Sequence, residues 1–329
     1  MDHPETTEGA VQTIALDVHA HLVPVDTQAL QGLEGVAWRL ADGVMVVDGQ
    51  PLKVPDLYRP ERLLEWMAAN GVQRALVSVP PPFYRQHLGA LQAATWARYL
   101  NDGLLALAAR HAAQLGALLH LPMEHAAIAL ELAGGYAQAP CAGFALAAGG
   151  ADAIDYGDPA HRPLWELLDQ RGAFVFLHPG HCGDGRLARC YLENLLGNPY
   201  ETAVAATQLV MADIPRQYPR IRFCLAHAGG LFPAACGRLQ RGLDSGRPGV
   251  PAQIEPPLQA AKRFYADCIA HQPAGLRLAT EVFGASHVLF GSDWPFPMGI
   301  PSPGTDDTVR AWRGAAIPQD HAATTTETN

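Results

Sequence analysis

The sequence predicts an α/β protein, a distorted (β/α)8 TIM barrel with a small hairpin insertion after its first strand. Three observations predict it. Eight short apolar runs are separated from one another by helical patterns. Those runs are almost continuously apolar, as parallel strands buried on both faces are. Metal-competent or acid–base side chains stand at the ends of four of them, and in a barrel the chemistry sits at the C-terminal strand ends.

The elements follow in order. Strand 1 covers about 12–18 and leads into Asp17-Val18-His19-Ala20-His21. Residues 22–57 hold GVMVVDGQPLKV, which alternates and turns at Asp48-Gly49 as a hairpin does. PERLLEWMAAN (60–70) starts on Pro and stops before Gly71, the signature of a helix. Strand 2 is 72–79, closed by Pro80-Pro81-Pro82, and a long helix covers about 86–113. Then come strand 3 (115–122), a helix (124–138), strand 4 (141–146), a helix (163–170) and strand 5 (173–178). A Gly-rich polar loop over 179–198 precedes a helix at about 200–213 and strand 6 (221–227). A helix near 230–243, strand 7 (264–268), a helix at 274–283 and strand 8 (287–293) complete the set. No G-x-G-x-x-G follows strand 1, which argues against a dinucleotide-binding sheet. The expectation is one domain over 1–329, with an insertion at 22–57 and a poorly structured tail at 300–329.

Composition narrows the function classes. Of 329 residues, 49% are hydrophobic and 17% charged, enough for one large core. A net charge of −9 gives no nucleic-acid footprint. No apolar run reaches the ~18 residues that span a bilayer, and the acidic N-terminus is unlike a signal peptide, so a cytoplasmic location is expected. The six cysteines include no CxxC. Cys141, Cys224 and Cys268 fall in apolar strand-like runs and read as reduced core residues, while Cys182 and Cys190 lie in a polar loop, where a zinc role is the alternative to none.

On a strand, His19 and His21 point the same way about 7 Å apart and can converge on one ion. His178 ends strand 5, and Asp293 ends strand 8. Imidazole and carboxylate together suit Zn²⁺, Mn²⁺, Fe²⁺ or Co²⁺, and so few ligands leave coordination open for chemistry. His227, ending strand 6, is placed as a general acid–base. Each residue also has a plain structural reading: histidines capping a core strand, a turn at His178-Pro179, a core histidine at 227, an Asp that caps a helix. All four together are harder to explain that way. Phe83, Trp294 and Phe296, next to prolines in loops, are candidate pocket walls, and His181 is a candidate substrate contact.

DVHAH, FLHPGH, LAHAGG and GSDWPFP resemble the amidohydrolase superfamily, in its amidohydrolase-related (amidohydrolase 2) branch. The pattern is similar to that of the 2-amino-3-carboxymuconate-6-semialdehyde decarboxylases and related metal-dependent decarboxylases. The resemblance runs from His19 to Pro297. It implies one divalent metal per chain, Zn²⁺ first and Mn²⁺ second, held by His19, His21, His178 and Asp293. It implies His227 as acid–base and Asp293 as a second proton carrier. Strand 4, CAGFAL, has no Lys, which matches a branch without the carboxylated lysine of two-metal relatives. The resemblance also implies a homodimer or higher homo-oligomer, in which Arg238 reaches a neighbour's substrate carboxylate. Lys53 stands where the semialdehyde decarboxylases carry an Arg, and a Lys cannot form the same planar fork. The family's closing helix has no clear match in the Thr-rich end.

The expected function is therefore non-oxidative decarboxylation of an aromatic or unsaturated, muconate-like carboxylic acid. The alternative is hydrolysis of a C–C, lactone or amide bond by metal-bound hydroxide. A barrel that binds a metal or a small acid without turnover would be expected to lack a ligand or the acid–base, and every one is present. The partner expected is a small-molecule carboxylate.

Overall fold

The computed structural model describes residues 13–150 and 154–313. Eight parallel strands lie in the order β1 (Ile14–His21), β5 (Val72–Ser78), β6 (Leu115–His120), β7 (Gly143–Ala148), β8 (Phe174–Pro179), β9 (Arg222–Leu225), β10 (Tyr265–Asp267) and β11 (Val288–Leu289). The sheet comes round on itself. Val18 N donates to Phe290 O at 2.9 Å, and His21 N to Trp294 O at 2.8 Å. This is the TIM barrel that the strand count predicted.

Helices return the chain from each strand end to the next strand start. They are α2 (Pro60–Asn70), α3 (Ala90–Arg110), α4 (Ala126–Gly135), α5 (Arg162–Arg171), α6 (Asn198–Met211), α8 (Phe232–Asp244) and α10 (Pro273–Phe283). Short turns of helix at α1 (Thr27–Leu30), α7 (Ile214–Gln217) and α9 (Pro257–Ala260) fill the corners. Helix α2 shows how local chemistry sets bounds. Pro60 opens it where no N–H is needed, and Gly71 ends it at φ 69°, a left-handed backbone that a Cβ disfavours.

Two apolar layers hold the barrel. Val18, Leu76, Leu118, Ala145, Phe176 and Cys224, one from each of six adjacent strands, fill its inside. The larger cluster lies between strands and helices, with Trp96, Leu100 and Leu104 of α3 and Leu164, Trp165 and Leu168 of α5 fully or nearly buried.

The insertion is richer than a hairpin. Strands β2 (Val36–Arg39), β3 (Val44–Val47) and β4 (Gln50–Pro51) form a three-stranded antiparallel sheet. Its second turn is at Asp48-Gly49, both with positive φ. Arg85 ties it to the barrel, donating to Asp48 Oδ1 at 2.6 Å, Asp48 Oδ2 at 3.0 Å and Glu34 O at 2.9 Å. At the other end, helix α11 (Asp307–Arg313) occupies part of the stretch expected to be poorly structured. Residues 314–329 of that tail lie outside the described residues. Among the described residues no helix is long and apolar enough to cross a membrane.

Candidate metal centre

Strand β1 delivers its two histidines through an irregularity. Its register against β5 slips between Asp17 and Ala20. There the Asp17 carboxylate accepts from His19 N at 3.0 Å, Ser292 N at 3.0 Å and the Ser292 hydroxyl. This fastens the end of β1 to the segment after β11. Burial pushes the Asp17 carboxyl up to about 7, against those hydrogen bonds.

His19, His21, His178 and Asp293 come together, all buried, with one ligand atom from each within 4.8 Å of the others. His19 Nε2 is 3.1 Å from His21 Nε2, and these lie 3.3 and 3.2 Å from Asp293 Oδ1. The opposite ring nitrogens assign the tautomers. His19 Nδ1 donates to Asp267 Oδ2 at 2.7 Å, His178 Nδ1 to Pro179 O at 3.1 Å, and His21 Nδ1 faces Ser78 O at 3.3 Å. The Nε2 atoms then face one another, and at 3.1 Å those of His19 and His21 need positive charge between them, a proton or a metal ion.

The carboxylates make the same demand. Asp293 Oδ1 is buried and has no hydrogen-bond partner. Burial disfavours the His19 imidazolium, but Asp293 and Asp267 outweigh it and raise His19 to about 10. Burial, with the charges of His19, His21 and His227, holds His178 well below its ordinary value. A divalent cation meets that demand and suits three imidazole nitrogens and one carboxylate. The residues present therefore fit a single metal, with each of the three histidines oriented from behind.

His227 stands beside this cluster, its ring centroid 5.2 Å from those of His19 and His178 and its Nε2 3.8 Å from Asp293 Oδ2. It lies on an unusual turn. His227, Ala228, Gly229 and Gly230 all have positive φ, a cost for the first two, which carry a Cβ. Asp267 holds that turn, accepting from His227 N at 2.9 Å and Ala228 N at 2.8 Å. One carboxylate thus orients a proposed ligand and the proposed acid–base. Asp267 was not singled out from sequence, although it ends strand 7 (FYADC) and the strand-end rule that picked His227 applies to it equally.

Above the cluster opens a cavity of about 1010 Å³. His178, His227 and Asp293 form its floor, and Phe296, His181, Ile269, Leu278 and Met298 are among its walls. Phe296 packs edge-on against His21, with centroids 5.4 Å apart. His181 sits at the rim, paired with Glu193. His271, on a left-handed backbone at φ 56°, and Gln272 also line the cavity and were not anticipated.

Three expected contacts lie elsewhere, and a fourth, Arg238, is expected to act on a neighbouring copy. Phe83 is fully buried and stacks on Trp96, because the turn at Pro81–Phe83 carries it into the core. Trp294 is nearly buried and serves barrel closure through its backbone, outside the residues that line the cavity. Lys53 is exposed just after β4, on the insertion rather than the cavity wall. Arg238 is exposed on α8 and does not line the cavity of its own chain.

The Amidohydrolase family profile matches residues 16–324. The chain belongs to that family. This amidohydrolase is 26% identical over 306 residues to the 2-amino-3-carboxymuconate-6-semialdehyde decarboxylase of Dictyostelium discoideum, covering 89% of this chain and 85% of the relative. It is 29% identical over 288 residues to the 6-methylsalicylic acid decarboxylase of Penicillium expansum, covering 85% of this chain and 84% of the relative. Its fold matches the crystal structure of a 5-carboxyvanillate decarboxylase from Novosphingobium aromaticivorans complexed with manganese and a nitrobenzoic acid. That match has a TM-score of 0.74 at 15% identity, over 92% of this chain and 90% of the other.

Proposed function

We propose that this amidohydrolase is a metal-dependent, non-oxidative decarboxylase of an aromatic or unsaturated carboxylic acid. One observation carries the reading: three imidazole Nε2 atoms and the Asp293 carboxylate converge beneath a cavity whose floor is His178, His227 and Asp293. The decarboxylases to which the chain is similar support it.

His19, His21, His178 and Asp293 would hold one divalent ion. The ligand set favours zinc, and the manganese-bound structural neighbour keeps manganese as the alternative. Bound there, the metal would polarise the acid's oxygen and stabilise charge developing in the transition state. The chain's own residues do the rest. Phe296, Ile269 and Leu278 hold the carbon skeleton and exclude water. As the C–CO₂ bond breaks, its electron pair stays on the carbon and is taken up by a proton from His227. Asp293 Oδ2, 3.8 Å from His227 Nε2, faces the imidazolium before transfer. A homodimer or larger homo-oligomer belongs to the proposal, with Arg238 of α8 exposed at the surface for contact with a second copy.

Mass spectrometry of the metal-loaded protein with hydroxybenzoates, carboxymuconates and aromatic lactones tests this reading. The expected product is lighter by CO₂ and carries deuterium from D₂O on the carbon that lost it. His227→Ala should slow turnover at least ~10²-fold. Incorporation of ¹⁸O from water without loss of CO₂ would replace decarboxylation by hydrolysis at the same site.

A further inference from the structure

One buried carboxylate serves both halves of the centre. Asp267 ends β10, is fully buried and accepts four hydrogen bonds. Its Oδ2 accepts from His19 Nδ1 at 2.7 Å and from His227 N at 2.9 Å. Its Oδ1 accepts from Ala228 N at 2.8 Å and from Ile269 N at 3.0 Å. A carboxylate has about four lone-pair sites, so all of them are in use. His227 and Ala228 are left-handed, at φ 55° and 53°, and such a backbone persists only where its surroundings over-determine it. The two bonds to Asp267 are part of that hold. The donor that shares Oδ2 with His227 N is His19, a member of the set that fits a metal. An imidazole that binds a cation through Nε2 becomes a stronger donor at Nδ1.

We infer that Asp267 is a positioning residue that couples metal occupancy to the turn carrying His227. A bound ion tightens the turn, and an intact turn tightens the hold on the ion. This rests on the reading of the centre as a metal site with His227 as its acid–base, and adds that the two depend on each other. The route is short: the His19 ring, Asp267 Oδ2, the His227 N–H. Coupling of this kind is reciprocal, so a change on either side is felt on the other by the same factor. His227 is then held in place most firmly when the ion that receives the acid is bound.

Amide hydrogen exchange and metal affinity, both read without substrate, test the coupling. The full chain is stripped with chelator and reloaded with zinc. Zinc should slow exchange at the amides of His227 and Ala228 at least ~5-fold in wild type. His227→Ala keeps the backbone N–H and should keep that slowing. Its loss there would put the response in the side chain and overturn the inference. Asp267→Asn exchanges an acceptor for a donor, and should abolish the slowing and bind zinc ~10–100-fold more weakly. If that variant fails to fold, Gly230→Ala reaches the turn from its far end, where a Cβ would be 2.4 Å from Pro199 O, at a residue outside the ligand set. It should weaken zinc binding at least ~5-fold. Gly71→Ala, also left-handed at φ 69° but at the end of α2, should leave zinc binding unchanged. Zinc binding to wild type with no change in exchange overturns the coupling alone. Slowing that survives Asp267→Asn, or unchanged zinc affinity in Gly230→Ala, does the same. A wild-type chain that binds neither zinc nor manganese removes the metal reading, and the coupling falls with it.

Discussion

At the scale of single residues, burial without a partner sets much of the chemistry. His120 ends β6, is 1% exposed and stacks on Tyr84 with centroids 5.0 Å apart. Its Nδ1 has no hydrogen-bond partner, and burial lowers its pKa to about 4. An unfolded histidine titrates near 6.5. Between those values the unfolded chain takes a proton that the folded chain refuses. The stability His120 permits is therefore fully present above about 6.5 and is lost as pH falls towards 4, on the order of 3 kcal/mol in all. Urea midpoints at pH 7 and 4.5 should fall less steeply for His120→Leu than for wild type. Parallel curves would mean that the acid sensitivity arises elsewhere. His120 and Asp267 were both legible in principle, since each closes an apolar strand run. What hid them is that a strand-end His or Asp looks the same whether it faces a metal, a ring or a backbone N–H.

Among the elements, the strand ends are shaped by close approach. The sequence pattern for strand 8 extends over 287–293, yet β11 is only Val288–Leu289. The chain then turns inward at Gly291, where a Cβ would meet Asp267 Cβ at 2.7 Å and His19 Cβ at 2.9 Å. Asp293 reaches the metal cluster because the ladder stops early. The turn after β9 has a similar requirement. Gly230 sits at φ 57°, ψ −129°, a conformation essentially reserved for glycine, and a Cβ there would be 2.4 Å from Pro199 O. Gly230→Ala should therefore cost at least about 1–3 kcal/mol in denaturant unfolding and displace His227. An unchanged midpoint with unchanged turnover would show that the turn is not the support of His227. Helix bounds were easier to read than strand ends: α2 runs over Pro60–Asn70 as its proline and glycine indicate. Loop side chains were the hardest. Phe83 and Phe296 both adjoin prolines, but one stacks on Trp96 and the other packs edge-on against His21.

For the molecule as a whole, the metal cluster lies across the seam of the barrel. Its residues come from β1, from β8 and from the segment after β11. The first and last strands otherwise meet through backbone hydrogen bonds and the Asp17–Ser292 pair. A bound ion would join those strands, so metal binding should stabilise the fold. At a free metal concentration 100 times its Kd the gain is about 2.7 kcal/mol. Chelation should therefore lower Tm by a few degrees for a chain of this size, and zinc or manganese should restore it. His178→Ala keeps the seam contacts and should lose the response. A Tm indifferent to chelator in wild type, with metal content shown to change, would remove the ion from the seam.

The sequence by itself determined the barrel, the bounds of α2 and the four residues that meet at the strand ends. Apolar runs of strand length alternating with helices leave few other topologies, and parallel strands in a barrel bring all their C-terminal ends to one face whatever their separation in the chain. Only the tertiary structure decided what supports and surrounds that cluster. Asp267 holds His19 from 248 positions away. Arg238 and Lys53 turn outward, leaving the cavity wall of this chain without either. Strand periodicity assigns a residue to a face, but where a loop side chain points is set by the neighbours it packs against.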